Sequence, residues 1–330
     1  MGEDRGVSQR SVWLVFLLAL LISVSTMGMI ASAEEDEKIN VVCTNSALAD
    51  FAENVFGDEL AEQVEVTYIM PGGACPAHFD ARPSDAVMIA EADVIIALGW
   101  EPWLEDLITA SGNDDAYRIN CMGLGEWNIP EGAAAHLDVI EEALSEYYPD
   151  WSDDFRDNAD TYIALIEETF DSGRQSIISK GLNGTKVVTI EWYSEFLQLL
   201  GFEVVRTYGS PESLSTADIL NITEALNGDE EIALVIDNLQ SGVEFGENLA
   251  AQTGKEHIVL SNFPGGIPGV YTYTENTEYN INELINGATA FDENMQEITD
   301  LEGKISSLEF QRSLLIVSLA VITAFLAISV

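Results

Sequence analysis

Short apolar runs alternate with segments of helical period through most of the chain. Runs at Ile39 to Cys43, Val64 to Met70, Asp93 to Leu98 and Tyr117 to Cys121 predict strands, each followed by a helical or loop segment. That alternation is the βαβ pattern of a parallel sheet. A second set follows at Lys186 to Ile190, Glu203 to Tyr208, Ile232 to Ile236 and His257 to Leu260, with helices Leu214 to Leu226 and Val243 to Gln252 among them. Between the sets, Phe155, Ala159, Tyr162, Ile166 and Phe170 recur at steps of three and four, which predicts one amphipathic helix from Trp151 to about Lys180. Ser152 or Asp150 is available to cap it. The expected architecture is α/β: two Rossmann-like lobes, 38–150 and 181–288, joined by one long rigid helix over 151–180. A cleft lies between the lobes, where open α/β sheets bind ligands at the carboxyl ends of their strands.

The two ends carry continuous apolar runs instead. Trp13 to Val24 follows Arg5 and Arg10 and leads to the small-x-small sequence Ala31-Ser32-Ala33, so residues 1–33 are expected to be a secretory signal peptide. At the other end, Ser313 to Val330 holds no charge and, as a helix, spans roughly 27 Å, enough for a hydrocarbon core. We expect a C-terminal membrane anchor over 313–330. Phe291, Ile298, Leu301, Ile305 and Leu308 fall at heptad-like spacing and predict a helical stalk over 289–312, with a face available for self-association.

Charge narrows the choice of partner. The chain carries 57 acidic against 13 basic side chains, a net charge of -44. That balance offers nothing to a nucleic-acid backbone and repels anionic headgroups. Acids are spread rather than blocked, and 47% hydrophobic content is enough to build cores, so this is a folded, acidic-surfaced body and not a disordered tail. No nucleophile elbow, paired His–carboxylate motif or nucleotide loop is found, so no enzymatic activity is expected. The pairs Gly72-Gly73 and Gly265-Gly266 start neither a GxGxxG nor a P-loop pattern.

The stretch Met70 to Leu107 (MPGGACPAHFDARPSDAVMIAEADVIIALGWEPWLEDL) resembles the cluster A-I substrate-binding proteins of metal-ion ABC transporters, the zinc and manganese binders. A proline-glycine turn, a histidine, a Pro-Ser-Asp helix start, an EADVII strand and a G-x-E-x-W-L helix follow one another there. The resemblance continues through Glu126-Trp127, the long helix and Val187 to Phe202, and covers nearly all of Ile39 to Gly287. It implies a lobe-helix-lobe receptor that hands a metal ion to an ABC permease.

The family's ligand positions are only partly kept. Its first histidine directly follows proline, whereas Pro76 is followed by Ala77 and then His78. Its second precedes a W-x-x-P element, matched by Trp127 to Pro130, but Gly125 and Glu126 stand before it. The third position is matched by Glu191, and the fourth, an aspartate, falls near Ser261-Asn262. Three cysteines, Cys43, Cys75 and Cys121, map to first-lobe strand ends or the turn beyond, and their thiolates would suit zinc or copper(I) beside His78. A disulfide and simple burial as small apolar residues are the other readings of these cysteines. The expected metal residues are therefore His78, Glu191, Cys75, Cys43 and Cys121.

Other residues carry less. His136 is expected as a surface or packing residue, His257 at the solvent side of the last strand, and Asp237 near the cleft or as a structural cap. Trp100, Trp127 and Trp192 are available to wall the site, and Asn183-Gly184-Thr185 is a glycosylation sequon. The expected function is a cell-surface, extracytoplasmic receptor whose cargo is a divalent metal, zinc ahead of manganese or copper, delivered to an ABC permease. The alternatives are the same fold holding a metal chelate or small organic molecule, or a surface adhesion or stalk protein.

Overall fold

The computed structural model describes residues 38–124 and 126–328; the expected signal peptide lies outside the described residues. In the first lobe, strands β1 (Ile39–Asn45), β2 (Val64–Met70), β3 (Val94–Ala97) and β4 (Tyr117–Asn120) form a parallel sheet in the order β2-β1-β3-β4. In the second, β5 (Lys186–Ile190), β6 (Glu203–Tyr208), β7 (Ile232–Asn238) and β8 (Glu256–Leu260) repeat that order as β6-β5-β7-β8. Parallel strands need crossovers. In the first lobe these are α1 (Ser46–Leu60), α2 (Pro83–Ala90) and α3 (Leu104–Ser111), with α4 (Pro130–Tyr147) following β4. The second lobe has α6 (Ser194–Leu200), α7 (Thr216–Gly228) and α8 (Glu244–Thr253).

Side chains alternate across the strands as a sheet covered on both faces requires. Val41 and Cys43 of β1 enter one core cluster, with Leu48, Phe51 and Ile140, while Val42 enters the other with Ile89 and Ile95. β1 and β7 each run two residues past the apolar run that predicts them, because their last residues still pair: Asn45 with Met70 and Asn238 with Leu260. An inner strand of each sheet therefore ends in an asparagine. Asn45 caps α1, its Oδ1 accepting from the backbone of Ala47 at 3.0 Å and Leu48 at 3.1 Å.

The long helix α5 (Ser152–Ser179) belongs to both lobes. Phe155, Ala159, Tyr162 and Ile166 pack into the first-lobe core; Phe170 and Ile177 pack into the second. Bending it between Ile166 and Phe170 would strip one core or the other, so its apolar stripe fixes it as a strut.

A second helix makes the same crossing, and the sequence reading has no counterpart for its beginning, before the expected stalk at 289–312. α9 runs unbroken from Tyr273 to Ile328. Tyr273 is buried in the first-lobe core, and Ile281, Leu284, Ile285, Ala288 and Phe291 in the second. α5 and α9 touch where Gly173 faces Ile281: a Cβ there would lie 2.4 Å from Ile281 Cδ1. Asp50 of α1 joins the same junction, accepting a hydrogen bond from the Tyr162 hydroxyl. Burial raises the Asp50 pKa to about 7, against the opposing pull of that bond.

Beyond Phe291 the helix leaves the body, and Ile298, Leu301, Ile305 and Leu308 are exposed, as are Leu314 to Val317. Among the described residues α9 is the one helix long and apolar enough to cross a membrane. The expected stalk and anchor lie on this single helix, which is described as far as Ile328.

Candidate metal centre

The carboxyl ends of the two sheets face each other across a cavity of about 480 Å³ with mainly apolar walls. From the first lobe it is lined by the loop after β2, which holds Cys75 and His78, by Trp100 after β3, and by Glu126 and Trp127 after β4. The second lobe contributes Trp192, Glu212, Asn238, Gln240, Asn262 and Phe263, from the carboxyl end of β7 and the loops after its four strands.

Local bonds explain why these side chains stand where they do. Trp103 Nε1 donates to Pro76 O at 2.9 Å and its ring meets Phe79, which ties the Cys75–His78 loop to α3. The carboxylate of Glu101 accepts from the backbone of Leu98 at 3.0 Å and Gly99 at 2.7 Å, closing the turn that carries Trp100. The Gly99, Glu101 and Trp103 positions of the G-x-E-x-W-L element thus build the rim of the site without entering it. Trp127 donates from Nε1 to Asn262 O at 3.1 Å and stacks on Phe263, centroids 5.4 Å apart and planes at 16°. That pair links the lobes at the cavity floor.

Glycines complete the seam. A Cβ on Gly72 would sit 2.2 Å from Pro264 O, and one on Gly266 2.8 Å from Gly72 O, so the backbones of the two lobes meet closer than a side chain permits. Gln240 reinforces the contact by donating from Nε2 to Gly72 O at 2.6 Å. Its Oε1 accepts from Asn238 Nδ2 at 2.9 Å and from the Asn262 backbone at 3.1 Å. Where the resemblance expects an aspartate after the last strand, the second lobe presents this amide network.

Two donors meet across the cleft. His78 Nε2 and Glu212 Oε1, from opposite lobes, stand 3.4 Å apart, each side chain 63% exposed. Glu212 is held on a turn, with Ser210 Oγ donating to the same carboxylate oxygen at 3.2 Å. Glu126 has its pKa raised by burial and then by the charges of Glu195 and Glu191. No group of three or more His, Cys, Asp or Glu side chains is gathered to hold a metal ion among the described residues.

The expected ligands divide. His78 and Cys75 line the cavity. Glu191 opens the turn after β5 and lines a neighbouring depression with Arg206, Tyr208 and Asp218. Cys43 and Cys121 do not converge on His78: both are buried in the first-lobe core beside Leu48, Val94 and Ile119. The reason is the strand end. β1 continues through Thr44 to Asn45, which turns Cys43 into an interior residue of the sheet. Burial, with the neighbouring Cys121 next, holds the Cys43 thiol well above its ordinary pKa. Burial also pushes Cys121 up to about 12, so neither is a ready thiolate. All three cysteines are free.

Glu126 and Glu212 are the cavity carboxylates that sequence reasoning left out. Glu126 had a signal, standing immediately before the Trp127 to Pro130 element; Glu212 had none among 57 acids. His136 is buried, with Nδ1 at 2.7 Å from Gly132 O, and is a packing residue. Asp237 is fully buried away from the cleft, accepting from Tyr208 Oη at 2.6 Å and paired with His257 Nε2 at 2.9 Å. Gly246 of α8 leaves no room for a Cβ over it.

Two parallel α/β lobes bridged by long helices, with a ligand-sized cavity between their strand ends, define a bilobal solute-binding protein. The profile of the family described as "ZnuA: Zinc-uptake complex component A periplasmic" matches residues 41–287. The chain belongs to that family. Among curated proteins it is 26% identical over 208 residues to the manganese-binding lipoprotein MntA of Halalkalibacterium halodurans, covering 58% of this chain and 68% of the relative. It is 34% identical over 201 residues to the metal ABC transporter substrate-binding lipoprotein SloC of Streptococcus mutans, covering 53% and 64%. Among solved structures, a crystal structure of ZnuA superposes with a TM-score of 0.63 at 17% identity, covering 76% of this chain and 100% of that one. A manganese-bound Y68F mutant of a periplasmic metal-binding protein from Candidatus Liberibacter asiaticus gives the same TM-score, identity and coverage. At that identity the structural likeness concerns the fold.

Proposed function

We propose that the protein is an extracytoplasmic receptor that captures a divalent metal ion, zinc or manganese, in its interlobe cavity and delivers it to an ABC permease. The family match and the metal-binding relatives support the class of cargo. The observation that carries the reading to this chain is the facing of His78 and Glu212 at 3.4 Å from opposite lobes. A tetrahedral ion bonded at about 2.0–2.1 Å separates neighbouring donors by about 3.3–3.4 Å, so the pair forms one edge of such a shell. Cys75 and Glu126 border the same space, and Glu191 stands one depression away.

The exposed apolar end of α9 fits a membrane anchor, with the cleft carried on a helical stalk on the outer face. The exposed Ile298, Leu301, Ile305 and Leu308 supply a face for pairing with another copy, subordinate to the receptor role.

Metal content per chain, measured by plasma mass spectrometry on protein isolated from cells grown with zinc and manganese, tests the reading. We expect about one equivalent in the wild type and a loss of most of it in His78→Ala and Glu212→Gln, both exposed positions whose substitution leaves the fold intact. A wild-type protein isolated without metal, or variants that retain it fully, would overturn the proposal.

A further inference from the structure

We infer that the cargo enters this cleft as a metal held by a small, planar, nitrogen-type chelator of neutral or positive net charge, the protein and the chelator each supplying part of the coordination shell. This rests on the metal reading above and specifies the chemical form of the cargo. Three observations carry it.

The first is the donor count. Zinc in a protein site takes four ligands, and a tightly held bare ion needs at least three from the protein. His78 and Glu212 form one edge of a shell, and no cluster of three donor side chains exists among the described residues. Cys75 lines the cavity without completing such a cluster, and the place of a fourth ligand is filled by the side-chain amides of Gln240 and Asn238, bonded to each other, to the Asn262 backbone and to the first lobe. Two shell positions are left for a bidentate partner.

The second is size and surface. A cavity of about 480 Å³ falls in the range of small-molecule pockets, roughly 300–1,000 Å³. Its walls are aromatic: Trp127 lies stacked on Phe263, Trp192 faces from the second lobe, and Trp100 is 46% exposed at the rim. An ion gains nothing from such walls beyond a modest cation–π attraction, whereas a flat π-rich frame gains offset stacking and burial.

The third is charge. Glu126 and Glu212 line the cavity, Glu191 and Glu195 act on Glu126 from beside it, and no lysine or arginine lines it among the described residues. An anionic chelator such as a polycarboxylate would be repelled; a diimine or similar neutral nitrogen donor leaves the complex cationic and is drawn in.

The test compares three probes on the full chain in detergent: zinc chloride, 1,10-phenanthroline, and their one-to-one complex. Native mass spectrometry identifies the bound species and tryptophan fluorescence gives the affinity. The complex is expected to bind at least tenfold tighter than zinc chloride, with both zinc and chelator found on one chain. Trp100→Ala is expected to reduce that preference, read as the ratio of the two affinities, at least threefold. Zinc chloride binding as tightly as the complex would overturn the inference and leave the receptor reading standing. Phenanthroline alone binding as tightly as the complex would overturn both. Failure of the complex to bind, or a Trp100→Ala protein with undiminished preference, would also overturn it.

Discussion

Residues of one type can sit in opposed physical settings within a single lobe, as the cysteines show. Cys43 is a fully buried member of the first-lobe core, and Cys121 lies in the same cluster; Cys75 is half-buried on the cavity wall. A thiol-specific reagent should therefore modify one cysteine per native chain, Cys75, and reach the other two only on unfolding. Cys43→Ser should cost about 1–3 kcal/mol by placing a hydroxyl among Leu48, Phe51 and Val94. Metal content should not change. Rapid labelling of Cys43 in the native state, or loss of metal in Cys43→Ser, would contradict this assignment. The sequence hid the distinction because the visible signal, an apolar run ending at Cys43, stops two residues before the ladder does. Asparagine is a poor strand former that here ends the strand and caps the following helix, so local propensity gave no warning.

At the scale of elements, what was legible and what was not divide along periodicity. All eight strands follow from short apolar runs and α5 from a period-3.6 apolar pattern, and their observed limits move by at most two residues. The second strut could not be read that way. The polar beginning of α9, with Asn276, Thr277 and Asn280 buried, looks like loop sequence until their contacts are known: Asn276 and Asn280 both donate to Ser261 O. The site was half legible for a related reason. His78 and Cys75 stand in a motif, whereas Glu212 becomes distinctive only once the second lobe swings it opposite His78. The junction of α1, α5 and α9 around Asp50 makes a measurable prediction. With its pKa raised to about 7 from 3.8, the native state keeps a proton that the unfolded chain releases, so stability falls as pH climbs through that interval. Asp50→Asn removes the penalty and still accepts from Tyr162. It should raise the melting temperature at pH 8, by a stability gain of order 2–4 kcal/mol, and change it little at pH 4. An equal shift at both pH values would show that burial, not charge, sets the effect.

On the whole molecule, the acidity acts collectively. A net charge of -44 is set against few close ion pairs among the described residues, the tightest being Lys186 with Glu231 at 2.7 Å and Asp229 at 2.8 Å. Like charges at this density destabilise the compact state through self-repulsion, which added salt screens as the Debye length shrinks from about 10 Å at 0.1 M to about 3 Å at 1 M. The melting temperature should therefore rise steadily from 0.1 to 2 M sodium chloride; a flat or falling curve would mean the surface acids are neutralised by something other than mobile ions. The unbroken α9 has a mechanical meaning as well. Since it is anchored in both cores and continues outward for about 55 Å past Phe291 without a hinge residue other than Gly303, the body has no swivel at its base. A torque applied to the far end turns the cleft as one piece with the shaft. With the far end held in a membrane as proposed, the directions in which the shaft can lean would confine the search for a docking partner, and the mouth of the cavity would keep a nearly constant elevation above the shaft's foot.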